Sequence, residues 1–123
     1  LVETLAAVTI VLTLSTTVGV VALGFVERGR EAAARSQMAL YTLALESYYA
    51  DTGRYPTTEQ GLDALWKAPV LAPLPQGWDG PYIQRAVGEN PWRNPYRYRS
   101  PGANGLPYVI ETDTADGRIR SDE

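Results

Sequence analysis

From Thr4 to Val26 the chain runs for 23 residues without a charged side chain, and this run constrains everything downstream of it. A segment so apolar has to be buried, in protein or in lipid. As an α-helix it would span roughly 34 Å at about 1.5 Å per residue, enough to cross a hydrocarbon core of about 30 Å. A cleavable secretory leader would need a basic start, a shorter apolar stretch and a small-residue cleavage site. This chain opens with Leu1-Val2-Glu3 and has no Lys or Arg before Arg28. The expectation is a membrane span over the first 26 residues, with residues 27–123 as one domain outside it. The mean hydropathy of -0.20 averages over these two parts and hides both.

The run is not a plain anchor. Thr13, Ser15, Thr16, Thr17 and Gly19 interrupt it with small and polar side chains, and Gly24 follows near its end. In lipid the backbone must bond within the helix, while small residues let helices approach closely. Such a helix suits a segment that leaves the bilayer to pack among copies of itself. Glu3 has two readings. One is an interfacial carboxylate favoured by the positive end of the helix dipole. The other is an assembly charge that, once buried in a bundle, needs a cationic partner such as a neighbouring chain's α-amino group. Orientation is also open: Arg28, Arg30 and Arg35 after the span would hold that side cytoplasmic, whereas a removed basic leader upstream would reverse this.

Residue inventory excludes whole classes of chemistry. There is no His and no Cys among the 123 residues, so Ser-His and Cys-His nucleophile pairs cannot form. The formal charge is -3, and without Glu3 the remainder carries 13 acids against 11 bases. No basic stripe exists to displace counterions from a nucleic-acid backbone. An enzyme and a nucleic-acid-binding protein are both disfavoured.

After Val26 the pattern stays helical to about Ala50. Met38, Tyr41, Leu45 and Tyr48 recur at spacings of three and four, which marks one apolar stripe. Asp51-Thr52-Gly53 stops the helix. Tyr55 to Gln60 resembles a helix start, with Thr57 or Thr58 as cap and Glu59 as capping partner, leading into a short helix with Leu62, Leu65 and Trp66 that ends before Pro69. Residues 69–81 hold four prolines and two glycines and read as an irregular loop. Tyr82-Ile83, Tyr96–Arg99 and Tyr108–Thr112 are strand-sized, with Tyr96 and Tyr98 on the buried face and Arg97 and Arg99 outside. The expected fold is α+β: a long helix packed on a small antiparallel sheet.

Three blocks carry a family resemblance. They are YYADTGRYPTTEQGLDAL at Tyr48–Leu65, GPYI at Gly80–Ile83, and NPWRNPYRYRSPGANG at Asn90–Gly105. With the LVETL start, they resemble the major pseudopilins of type II secretion, members of the type IV pilin-like superfamily. The motif positions are Tyr55, Pro56, Thr57, Thr58, Glu59, Gln60, Gly61 and Leu62, then Pro91 and Trp92, then Ser100, Pro101 and Gly102. The resemblance implies an assembly glutamate at Glu3, a helical homopolymer, and a single-pass inner-membrane protein with its domain in the periplasm. It implies minor pseudopilins, an inner-membrane platform protein, an assembly ATPase and a prepilin peptidase as partners, the last removing a basic leader and methylating the new N-terminus. Departures from the pattern are a start two residues late, Val20 where a proline is usual, and Asn90 and Arg93 in place of Asp and Gly.

Family members often bind calcium in the C-terminal loop. By this likeness Asp116 matches a ligand position, with Asp122 or Glu123 as another, although Arg118 and Arg120 bring positive charge among them. A solvated acidic tail is the competing reading. The aromatics Tyr48, Tyr49, Tyr55, Trp66, Trp78, Trp92 and Tyr96 are read as core and contact residues rather than stacking platforms. Asp51, Glu59 and Asp63 are read as solvated or capping groups rather than an acid–base pair. The expected function is a structural filament subunit of a secretion machine; a type IV pilin forming an extracellular fibre for adhesion or motility is the alternative.

Overall fold

A computed structural model describes the backbone of residues 2–123 and the side chains of Glu3, Leu5 and residues 21–123. The chain forms two compact units, Leu1–Ala32 and Ala33–Glu123. One helix, α1, covers Val2–Thr52. Most side chains of the expected membrane span, including Gly19, lie outside the described residues. Among the described residues no helix is long and apolar enough to cross a membrane.

The second unit is built on the C-terminal part of α1. Ala34, Met38, Tyr41, Leu45 and Tyr48 are all buried, so the apolar stripe read from the spacing is the face that packs. The helix stops where a left-handed residue can end it. Gly53 has φ 79, and its N–H donates to the Tyr49 carbonyl at 2.8 Å, an αL-type cap. The Thr52 hydroxyl donates back to the Tyr48 carbonyl at 2.8 Å, holding the last turn two residues beyond Ala50.

The sheet has three antiparallel strands in the order β1 (Tyr96–Arg99), β2 (Val109–Asp113) and β3 (Arg118–Arg120). Tyr96 pairs with Thr112 and Arg99 with Val109 on one side; Asp113 pairs with Arg118 on the other. As the alternation in β1 predicts, Tyr96 and Tyr98 point inward. Tyr96 meets Tyr41 of α1 edge-on at 5.4 Å between ring centres. Ile110 and Ile119 complete the inner face, against Leu45, Leu62 and Leu65.

Three expectations need correction. The second helix is only a 3-10 turn, Leu62–Leu65, because the preceding residues close a turn of their own. Tyr82-Ile83 is not a strand: the Tyr82 N–H makes a single bond to the Leu65 carbonyl at 2.8 Å and the chain bends. The tail expected to be a loop contains β3, whose apolar signal is Ile119 alone. A tight turn closed by the Thr114 N–H on the Gly117 carbonyl returns the chain into register.

Candidate functional site

The motif residues form a belt of loops tied to one another and to the end of α1. Thr57 and Gln60 make a reciprocal box: the Gln60 N–H donates to Thr57 Oγ1 at 3.1 Å, and the Thr57 N–H donates to Gln60 Oε1 at 2.9 Å. This is the S/T-x-x-E/Q arrangement, but its partner is Gln60 and not Glu59, which is exposed. A carboxylate at 59 is one residue out of phase with the box. Gln60 is also nearly buried, and its Nε2 donates to the carbonyls of Leu71 and Pro73 at 2.9 and 2.8 Å. One amide therefore pins the proline-rich loop.

The same block reaches the third motif. The Ser100 N–H donates to Thr58 Oγ1, and the Thr58 hydroxyl donates to the Ser100 carbonyl. The Ser100 hydroxyl donates to the Pro107 carbonyl at 2.9 Å, and the Tyr98 hydroxyl donates to the Pro56 carbonyl at 2.7 Å. Gly102 is tightly packed: a Cβ there would lie 3.0 Å from the Tyr108 carbonyl. Pro56 and Leu62 are buried beneath these bonds.

Asn90 is the hub of the second motif and is buried. Its Nδ2 donates to Thr112 Oγ1 and to the Asp113 carbonyl, both at 2.7 Å. Its Oδ1 accepts from the N–H groups of Trp92 and Asn94 at 2.9 and 3.0 Å. Arg93 adopts φ 64 to complete the Pro91-Trp92 turn, a conformation that glycine takes more readily.

Two polar clusters flank the belt. Glu46 accepts from the Tyr55 hydroxyl with both carboxylate oxygens at 3.0 Å, and Tyr49 stacks on Tyr55. Desolvation, reinforced by Glu46, pushes the Tyr55 phenol up to about 12. On the outer face of the sheet Arg97 forks onto Asp113 at 2.9 and 3.0 Å, with Glu111 and Arg118 alongside. The Arg97 hydrogen bonds hold the Asp113 carboxyl below its ordinary value.

The candidate assembly residues Glu3 and Gly24 belong to the first unit, Leu1–Ala32. Glu3 is exposed in the first turn of α1, and open space surrounds Gly24. Val21, Leu23, Phe25 and Val26 are exposed on the same unit. Of the candidate calcium residues, Asp116 accepts from the Thr114 hydroxyl at 3.4 Å and Asp122 is paired with Arg120 at 2.9 Å. Glu123 donates its N–H to the Arg120 carbonyl. Among the described residues no three acidic side chains gather as a metal cage.

The type II secretion system protein G family model matches residues 22–123. The chain belongs to that family. It is 41% identical over 102 residues to the type II secretion system core protein G of Aeromonas hydrophila, covering 82% of this chain and 70% of that one. To the Pseudomonas aeruginosa core protein G it is 34% identical, covering 75% and 64% of the two chains. The fold matches the crystal structure of the major pseudopilin from the type 2 secretion system of enterohaemorrhagic Escherichia coli with a TM-score of 0.71 at 29% identity, over 80% of this chain and 91% of that one. That match bears out the expected α+β fold, a long helix packed on a small antiparallel sheet. Two residues central to this chain's belt have roles that only the fold assigns, Gln60 as a loop anchor and Asn90 as a turn hub. The spacing Thr57-x-x-Gln60 was the available signal for the first.

Proposed function

We propose that this chain is the structural subunit of a type II secretion pseudopilus, polymerised through helix–helix packing to drive protein export. The observation that carries the reading is the protein G match across residues 22–123 together with the pseudopilin fold. The Thr58–Ser100 and Gln60 ties give that fold a rigid loop belt on the last turns of α1. Nothing in this function requires chemistry by the chain; the family is a structural one. The extracellular-pilus alternative is not favoured by the comparisons.

In this reading the uncharged run Thr4–Val26 is a single inner-membrane span that later packs among sister helices, and the domain lies in the periplasm. What supports it is the length and apolarity of that run. Assembly then involves a prepilin peptidase, a platform protein, an ATPase and minor pseudopilins. Glu3 neutralises a neighbouring N-terminus within the bundle. Electron microscopy of the full-length chain expressed with its secretion machinery tests the reading: filaments with wild type and none with Glu3→Ala are expected. Normal filaments from Glu3→Ala would remove the buried charge pair.

Calcium belongs to this proposal with a definite requirement. Asp122 would have to exchange Arg120 for the ion and swing toward Asp116, with Glu123 or backbone carbonyls adding oxygens. Calorimetric heat on calcium titration with a raised Tm supports it; neither effect removes it.

A further inference from the structure

The proline-rich loop is held rigid yet presents apolar side chains to solvent. Val70 is 88% exposed, Leu71 51% and Leu74 64%. Gln60 binds the Leu71 and Pro73 carbonyls. The far end of the loop is pressed on the end of α1, where a Cβ on Gly77 would come within 2.6 Å of the Asp51 carbonyl oxygen. A loop that is both fixed and apolar loses little entropy on docking, and exposed apolar patches of this kind mark interaction sites.

The same unit carries a matching recess. A cleft of about 520 Å³ runs beside α1, where Leu40, Leu43 and Ile83 form an apolar wall and Gln37, Gln84 and Arg85, its one ionised lining residue, a polar one. Leu43 is 66% exposed there. Asp63, exposed at the foot of the loop, supplies a carboxylate that complements Arg85.

Resting on the filament reading above, we propose that the Val70–Leu74 loop of one copy docks into the Leu40–Leu43–Ile83 cleft of the next. The two surfaces differ, so the contact is heterologous. Such a contact repeats from copy to copy, and in the filament reading its rotation does not close, which gives an open helical array. The apolar side chains fill the cleft and Asp63 faces Arg85 at its rim.

The absence of cysteine from the sequence makes the test direct. Val70→Cys and Leu43→Cys are introduced together in the full-length chain, filaments are assembled with the secretion machinery, and a copper–phenanthroline oxidant is applied. A ladder of disulfide-linked oligomers is expected from the double variant. Filaments from mixed single variants should give only dimers, at least tenfold above either single variant alone. Filaments without a ladder would overturn the proposal. So would equal dimer yield from Val70→Cys alone, which signals a symmetric contact. A thiol in the Val70→Cys variant that only phospholipid vesicles shield from alkylating reagents would overturn it too. If wild type forms no filament, the filament reading fails and takes this contact with it.

Discussion

Thr58 and Ser100 exchange two hydrogen bonds across 42 residues of chain, the Ser100 N–H to Thr58 Oγ1 at 3.0 Å and the Thr58 hydroxyl to the Ser100 carbonyl at 3.2 Å. One hydroxyl thereby behaves like a residue of a paired strand, joining two loops that share no regular structure. This pair fixes the belt that the two motif blocks build.

Replacing Thr58 with Val removes both bonds at constant shape. The loss should be about 1–2 kcal/mol, since each net hydrogen bond contributes roughly 0.5–1.5 kcal/mol. Glu59→Ala, one residue on, should stay within about 0.5 kcal/mol. Urea denaturation followed by tryptophan fluorescence compares them, and equal effects would contradict the assignment of Thr58.

Gln60→Ala leaves the Leu71 and Pro73 carbonyls without their donor and opens the Thr57 box. A cost of about 2–3 kcal/mol is expected. Hydrogen exchange should accelerate specifically in residues 70–74, and uniform acceleration across the domain would show that Gln60 does not act through the loop.

Arg93 sits at φ 64, in the left-handed region that costs a residue with a Cβ about 1–2 kcal/mol. Arg93→Gly should raise stability by about 1 kcal/mol after the greater unfolded-state freedom of glycine is subtracted. A lowered Tm for this variant would be inconsistent with strain at the turn.

Alkaline pH should unfold the domain through its tyrosines. Burial, first, holds the Tyr55 and Tyr96 phenols up at about 12, against an ordinary value of 10.0. The folded state therefore keeps protons that the unfolded chain gives up, so its advantage is full below pH 10 and is lost as pH rises toward 12. Tm measured from pH 9 to 12 should fall, less steeply in Tyr55→Phe. At the acid end the sign is reversed for Asp113. Its lowered value stabilises the fold above the ordinary 3.8, and that share is lost as pH falls through the folded value.

The long helix was legible because its evidence is local and repeated: Met38, Tyr41, Leu45 and Tyr48 state one face over three turns, and Gly53 ends it. Strand β1 was legible because Tyr96 and Tyr98 alternate with arginines. Strand β3 was not. Three residues with one buried side chain carry no periodicity, and Arg118-Ile119-Arg120 becomes a strand only because β2 offers it a register. Tyr82-Ile83 failed for the opposite reason: its side chains are strand-like, but the Tyr82 N–H bonds to the Leu65 carbonyl and the chain then bends away.

The sequence by itself determined the class of protein. An uncharged run, an amphipathic helix, the absence of His and Cys, and the spacing of the motif residues each follow from side-chain chemistry that does not depend on the fold. Tertiary structure alone decided which motif residues act. Thr58 meets Ser100, the Tyr98 hydroxyl meets the Pro56 carbonyl, and Gln60 holds the carbonyls of Leu71 and Pro73. Hydrogen bonds demand donor and acceptor within about 3 Å in a set direction, and neighbours that close, 42 residues apart in the chain, are chosen only when the core brings the loops together.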